Sequence, residues 1–420
     1  MKINKTILII LLVLGQATLQ SFAQDKYYQA VKFTDGKWLI NDEFKSITVY
    51  SIDGLFSFNP PEKIDTIVSL SNSFIVPPFA EAHNHNIGTG VTEWDKSAID
   101  SYLKAGVFYV KIQGNLPVSE EYKSELGINK PSSIDVQFAQ GNITAPNGHP
   151  IKLIQSLKIR GYYRGKSIDS LNNTRYFTID SEEDIADKWP IILKYKPDFI
   201  KILLANSNLF EKHRNDTTVW YKGLNPKFVP NLVARAHQNG FRITAHINNT
   251  FDFRHVLINK VDEIAHMPRM ISGIKYVPIS ADDAKLAATN KTYIITTLAI
   301  SLFQGGTINE VDFPIAKQFQ AEDLIMLKKH GALVAIGSDD PTDTSVKEAM
   351  YLKDLNVFDN LELLRVWTGV TPKTIFPNRK IGSIEEGYEA NFIVLEGNPI
   401  ENFDFITKIN VRFKQGYFIN

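Results

Sequence analysis

Phe74-Ile75-Val76-Pro77-Pro78-Phe79-Ala80-Glu81-Ala82-His83-Asn84-His85 is an apolar run that ends in two histidines one residue apart. Side chains alternate across a strand, so His83 and His85 share a face and can turn towards one cation. Seven more strand-like runs follow: Val107 to Gln113, Asp135 to Thr144, Phe199 to Ala205, Arg242 to Ile247, Glu263 to Met267, Tyr293 to Leu298 and Ala332 to Asp339. Between most of them lie segments of helical periodicity, among them Glu182 to Lys194, Pro226 to Asn239, Ala281 to Asn290 and Ala321 to His330. Gly240 and Gly331 close two of these, as glycine does at helix ends. Strand and helix alternating eight times predict an α/β fold, a (β/α)8 TIM barrel over residues 74–375.

Outside that array the pattern changes. Lys37-Trp38-Leu39-Ile40 and Ile47-Thr48-Val49-Tyr50 alternate in strand fashion between Asp-Gly turns at Asp35-Gly36 and Asp53-Gly54. Ala390 to Leu395, Ile409 to Phe413 and Tyr417 to Ile419 have the same character. Residues 24–73 and 376–420 are therefore expected to pair into one small β-sandwich domain beside the barrel.

The active face of a parallel barrel is at the C-terminal ends of its strands. His83 and His85 lie at the end of the first predicted strand, Lys201 on the fourth, His246 on the fifth, His266 on the sixth and Asp339 at the end of the eighth. A lone His-x-His pair reads equally well as solvated or core histidine. Four of the chain's 9 histidines at the ends of three different strands argue for a shared task. Lys201 stands inside Phe199-Ile200-Lys201-Ile202-Leu203-Leu204, where an unpaired ammonium is costly to bury. It reads either as half of an ion pair or as a neutral amine that takes up carbon dioxide and bridges two metals as a carbamate.

Composition removes several other classes. With 46 basic and 46 acidic residues the formal net charge is +0, and no local basic run replaces the missing field, so nucleic acid is not an expected partner. The chain has 0 cysteines, which excludes disulfides, thiol chemistry and lipid-modified cysteine, and confines metal ligands to His, Asp, Glu and a modified Lys. Met1-Lys2-Ile3-Asn4-Lys5, the apolar run Ile7 to Leu14 and Ser21-Phe22-Ala23-Gln24 follow the order of a signal peptide, residues 1–23, cut after Ala23. The product would be periplasmic or secreted and free of the membrane after cleavage; an uncleaved anchor is the competing reading.

Taken in order, Pro77 to His85, Asp198-Phe199-Ile200-Lys201, Ala236-His237-Gln238-Asn239-Gly240 leading to Thr244-Ala245-His246, Ile264-Ala265-His266 and Gly337-Ser338-Asp339 resemble the amidohydrolase superfamily. The likeness is to its imidazolonepropionase-like and Xaa-Pro-dipeptidase-like branch. The tail, Ile381 to Gly387 with Ala390 to Leu395, resembles that family's return into its β-domain. The resemblance implies two divalent ions, zinc first, with manganese or iron as alternatives. His83, His85 and Asp339 would hold one, His246 and His266 the other, and carboxylated Lys201 would bridge them. It further implies hydrolysis of a carbon–nitrogen bond in a small-molecule substrate by a metal-activated hydroxide, with Asp339 as general base and then acid. His149, in Asn147-Gly148-His149-Pro150, matches a Gly-His of this branch and is a candidate substrate contact. The chain departs from the family in having Glu81 where Asp is usual and Pro77-Pro78 in place of Pro-Gly. Asp340 could in principle replace Asp339 as ligand, but alternation points the two in opposite directions and the family pattern selects Asp339. His237 reads as helix packing, and His213, His255 and His330 as surface or structural. Arg175, Tyr162 and Tyr163 are placed to meet an anionic substrate. Lactone or phosphoester hydrolysis on the same site, and a non-catalytic surface binding protein, are the alternatives; the oligomeric state is left open.

Overall fold

The computed structural model describes residues 26–219, 222–300 and 308–419. The expected signal peptide, residues 1–23, lies outside the described residues. Pro77-Pro78 divides the run that opens the array. Neither proline has an amide hydrogen to give to a ladder. Phe74–Val76 therefore pairs outward, antiparallel to Asn391–Leu395 and parallel to Lys37–Ile40, and the parallel array begins at Phe79–Asn84 rather than at Phe74.

Asp135–Phe138, Val107–Ile112 and Phe79–Asn84 form a three-stranded parallel sheet. Tyr176–Thr178, Asn142–Thr144, Ile200–Leu203, Ile243–His246, Glu263–Ile264, Tyr293–Ile295 and Leu333–Ala335 form a seven-stranded one. The run expected over 135–144 is thus broken, with Gln140 in a left-handed turn (φ 61°) between its halves. The ladders do not close into a single ring of eight. Main-chain hydrogen bonds nevertheless span the other seam: Ala82 N–H donates to Ile336 O at 2.9 Å and Asp339 N–H to His83 O at 2.8 Å. Gly337 permits this approach, since a Cβ there would meet the His83 amide at 2.8 Å.

Helices flank the strands where periodicity puts them. Glu182–Lys194 starts in a capping box between Ser181 and Asp184. Ala281–Asn290 has the expected bounds. Phe313–Lys329 begins eight residues earlier than expected, with Ala316, Gln320, Asp323, Leu324 and Leu327 continuing its buried stripe. Phe79 stacks on Trp367 at 3.7 Å between ring centroids, and the indole N–H donates to Ala80 O, which pins the first strand from outside.

Both chain ends enter one β-rich layer. Leu55–Ser57, Val49–Ile52, Ala30–Thr34 and Thr66–Ser69 make a four-stranded sheet. A six-stranded sheet runs Tyr417–Ile419, Ile409–Lys414, Asn391–Leu395, Phe74–Val76, Lys37–Ile40, Glu43–Ser46. Asp53-Gly54, both at positive φ, is the two-residue hairpin its sequence predicts. Phe33, Trp38, Phe56, Phe392, Phe413 and Phe418 form a shared core, largely in edge-to-face contacts. Each such ring removed from water contributes roughly 2–3 kcal/mol. Among the described residues no helix is long and apolar enough to cross a membrane.

Candidate metal centre

The six residues expected at the site lie around one centre. His83 Nε2 lies 3.2 Å from His85 Nε2 and 3.3 Å from Asp339 Oδ1; His85 Nε2 is 3.5 Å from the same oxygen. One ligand atom from each of these three lies within 4.8 Å of the others, a spacing that a single ion can bridge. His266 faces His83 at 4.5 Å between ring centroids and His246 at 4.5 Å, and His149 lies 4.9 Å from His246. Lys201, buried, reaches Gln113 Oε1 at 3.2 Å.

The hydrogen bonds behind these rings decide which nitrogens face inward. His83 Nδ1 is held by Ala265 O at 2.9 Å and His85 Nδ1 by Gly114 O at 2.7 Å, leaving both Nε2 atoms to the centre. His266 Nδ1 meets Thr297 Oγ1 at 2.8 Å, which leaves Nε2, whereas His246 Nε2 meets Asn248 Oδ1 at 3.0 Å, which leaves Nδ1. An outer partner that fixes the tautomer is the usual companion of a metal-binding imidazole. Burial lowers the pKa of all four, His85 to about 3. They are neutral at physiological pH, the form that ligates. Burial likewise brings the Lys201 amine down to about 7. Burial would raise the Asp339 carboxyl, yet its hydrogen bond with His83 and the Arg269 guanidinium, 3.5 Å away, hold it well below the usual range. Imidazole and carboxylate donors of this kind suit zinc, manganese or iron.

Two left-handed residues border the centre. Asp339 (φ 51°) and the β-branched Thr297 (φ 46°) are both left-handed, at a cost of about 1–3 kcal/mol each. The turn aims Asp339 at the histidines. Asp340, the alternative set aside in favour of Asp339, binds Lys347 Nζ at 2.9 Å and Thr342 N–H at 3.0 Å. Glu81 lies beneath: its oxygens accept from Ser338 N–H at 2.8 Å, Ser338 Oγ–H at 2.7 Å and His83 N–H at 3.2 Å. Burial pushes its carboxyl up to about 8.

A second layer sits under Lys201. Gln113 Nε2 donates to Glu263 Oε1 at 2.9 Å, and Glu263 Oε2 meets Lys111 Nζ at 2.8 Å. Both charged groups are buried. His149 is partly exposed, and desolvation followed by the Arg269 charge takes its imidazole down to about 3. Other histidines lie elsewhere. His237 pairs with Asp262 Oδ2 at 2.9 Å on the outer surface, and His255 Nε2 meets Pro226 O at 3.0 Å. His213 ends the short helix Phe210–His213 and His330 caps Phe313–Lys329. Sequence reasoning missed Gln113, Glu263, Arg269 and Thr297. Lys111, alone among apolar neighbours like Lys201, was the available signal for the buried pair.

Residues 223–416, which carry His246, His266 and Asp339, match the Amidohydrolase family. This segment belongs to the amidohydrolase family. No significant match is found among curated protein sequences. Among solved structures the chain is similar to a Xaa-Pro dipeptidase with bound methionine, at 16% identity and TM-score 0.71 over 93% of this chain and 100% of that one. A putative prolidase from Bifidobacterium longum gives 16% and 0.71 over 94% and 95%, and A. niger ochratoxinase 14% and 0.71 over 94% and 96%. At such identities these are likenesses of fold alone. The family match supports the expected hydrolase of carbon–nitrogen bonds, and the dipeptidase likeness agrees with the expected branch.

Proposed function

We propose that this protein is an exported, metal-dependent amidohydrolase that cleaves the carbon–nitrogen bond of an amide, peptide or cyclic amide. The observation that carries the reading is the cluster of His83, His85 and Asp339, with His266 and His246 continuing it and Lys201 beside it. His83, His85 and Asp339 would hold one divalent ion, His246 and His266 a second, and Lys201 as a carbamate would join them. A zinc ion held by these residues would lower the pKa of a coordinated water to about 7 and polarise a carbonyl.

The chain's own residues supply the rest. Asp339, ionised at neutral pH, accepts the proton of the attacking water and returns it to the leaving amine. Arg269, 3.5 Å from Asp339 Oδ2, fixes the orientation of that carboxylate. Lys201, with its pKa near 7, offers a substantial neutral fraction for carbamate formation. His149, neutral and partly exposed beside His246, is positioned to meet the substrate carbonyl. Export rests on the charged, apolar and small segments of residues 1–23, and N-terminal sequencing of secreted protein tests it. For the chemistry, metal analysis should find about two ions per chain, and Asp339→Asn should abolish amide hydrolysis in protein that still holds metal. Carefully prepared wild type without metal would overturn the proposal.

A further inference from the structure

His246 is turned the other way from its companions. His83, His85 and His266 commit Nδ1 to a partner behind the ring and keep Nε2 for the centre, whereas His246 commits Nε2 and keeps Nδ1. The partner is also of a different origin. His83, His85 and His266 lean on residues far away in the chain, but His246 leans on Asn248, two residues along, at 3.0 Å from Nε2 to Oδ1. Among the described residues the His246 ring has no other hydrogen-bond partner. A neutral imidazole carries one N–H and one bare nitrogen, so an acceptor on Nε2 decides that Nδ1 is the bare one.

The carboxamide is set in place before any ion arrives. Asn248 is buried at 3% exposure, and both of its main-chain groups are tied: its N–H donates to Asp252 Oδ2 at 3.1 Å, and its carbonyl accepts from Arg269 N–H at 2.8 Å. Asp252 is itself fully buried near the start of Thr250–Ile258, where its N–H donates to the capping Asn249 Oδ1 at 2.9 Å. Its carboxylate also accepts from Asn206 N–H at 2.9 Å and Ser207 N–H at 2.8 Å, in the segment that follows Ile200–Leu203. One buried carboxylate therefore joins the loops after the Lys201 and His246 strands, and Asn248 sits at that junction. An outer acceptor of this kind both orients an imidazole and raises its strength as a ligand.

We propose that Asn248 is a positioning residue for the second ion: its carboxamide oxygen holds His246 with Nδ1 bare towards the centre, and so governs the ion shared by His246 and His266 far more than the one held by His83, His85 and Asp339. This rests on the two-ion reading above. The other three rings have their own partners, so the side chain of Asn248 acts on one ligand alone.

Zinc retention and proton placement test it without turnover. Full-length protein loaded with zinc is titrated with a chelator, and the affinity of each ion is read. Asn248→Leu should weaken one of the two ions about 10–100-fold and leave the other nearly unchanged. Asn248→Asp, whose carboxylate accepts from the same Nε2–H, should hold both ions as the wild type does. Nitrogen NMR of protein with isotope-labelled histidine places the proton, the His246 signals being those lost in His246→Gln. It should lie on Nε2 in the wild type and in Asn248→Asp, with zinc bound and after chelation, and in part on Nδ1 in chelated Asn248→Leu. A wild-type His246 protonated on Nδ1 overturns the assignment, and that measurement requires no variant to fold. So does an Asn248→Leu with the wild-type proton placement and both wild-type affinities. An equal loss of both ions that Asn248→Asp does not restore would also overturn it, since that is what a general loosening of the fold produces. Selective loss in Asn248→Leu, restored in Asn248→Asp, with no amide cleaved by wild type, would support Asn248 while refuting carbon–nitrogen hydrolysis.

Discussion

Glu263→Gln tests the buried layer beneath Lys201. The Glu263 carboxylate accepts from Lys111 Nζ at 2.8 Å, Gln113 Nε2 at 2.9 Å, Thr244 Oγ1–H at 3.0 Å and the Thr374 hydroxyl. Glutamine keeps the shape but leaves the Lys111 ammonium buried with no counter-charge, a loss of about 3–5 kcal/mol. At ~2 cal/mol/K per residue, a chain of 420 residues shifts by roughly 1.2 °C per kcal/mol, so the thermal midpoint should fall by about 4–6 °C. The sign of the pH dependence follows from the pair. Burial would raise the Glu263 carboxyl, but Lys111 and Arg242 hold it down at about 2. Its folded pKa is below its unfolded one, so its contribution is present above the unfolded value near 4.5 and is lost as pH falls towards 2. Burial lowers the Lys111 amine and returns part of that gain. Wild type and Glu263→Gln should therefore differ most near neutral pH and converge on acidification. Removing the stranded charge as well, in Lys111→Met/Glu263→Gln, should recover at least half of the loss. Calorimetric midpoints of the four proteins form the cycle; strictly additive losses would refute the coupling.

Other consequences can be checked singly. Asp323 is pushed up to about 6 by burial, so its contribution is present below about 4 and is lost as pH rises through 6. Asp323→Asn should raise the midpoint at pH 8 by a few degrees and leave it nearly unchanged at pH 4; a variant no more stable at pH 8 would contradict this. Thr297→Val removes the hydroxyl against His266 Nδ1 and should weaken metal retention roughly 10–100-fold, read by competition with a chelator. Trp367→Phe loses the indole donor to Ala80 O and should cost about 1–2 kcal/mol in denaturant unfolding.

The histidines and Asp339 were legible because each closes an apolar run at the C-terminal end of its strand, so that order along the chain maps onto one face in space; Lys201 was legible as a lone cation inside such a run. Their partners were not. Thr297, Gln113 and Arg269 matter only through which neighbouring strand end they face, and register across a parallel sheet is not written in local alternation. Asp339 and Asp340 show the difference closely: alternation separates them, but it is the left-handed turn at Asp339 that aims one at the histidines and frees the other for Lys347. The division at Pro77-Pro78 was present as two missing donors and was hidden by the apolar character on either side. The start of Phe313–Lys329 was obscured for the opposite reason, since buried Gln320 and Asp323 interrupt its apolar stripe.

The meeting of the chain ends has a topological consequence. Tyr27 forms an antiparallel bridge with Tyr417, and Tyr28 N–H donates to Gly416 O at 2.9 Å, so the described chain is nearly a closed loop. A peptide of a few residues would join residues 26 and 419, and new ends could be opened at the exposed turn around Gly165, where nothing crowds the backbone. In the natural order, by contrast, Lys37–Ile40 and Phe74–Val76 wait for Asn391–Leu395, made more than three hundred residues later, before their six-stranded sheet exists. The buckle of the belt is fastened last.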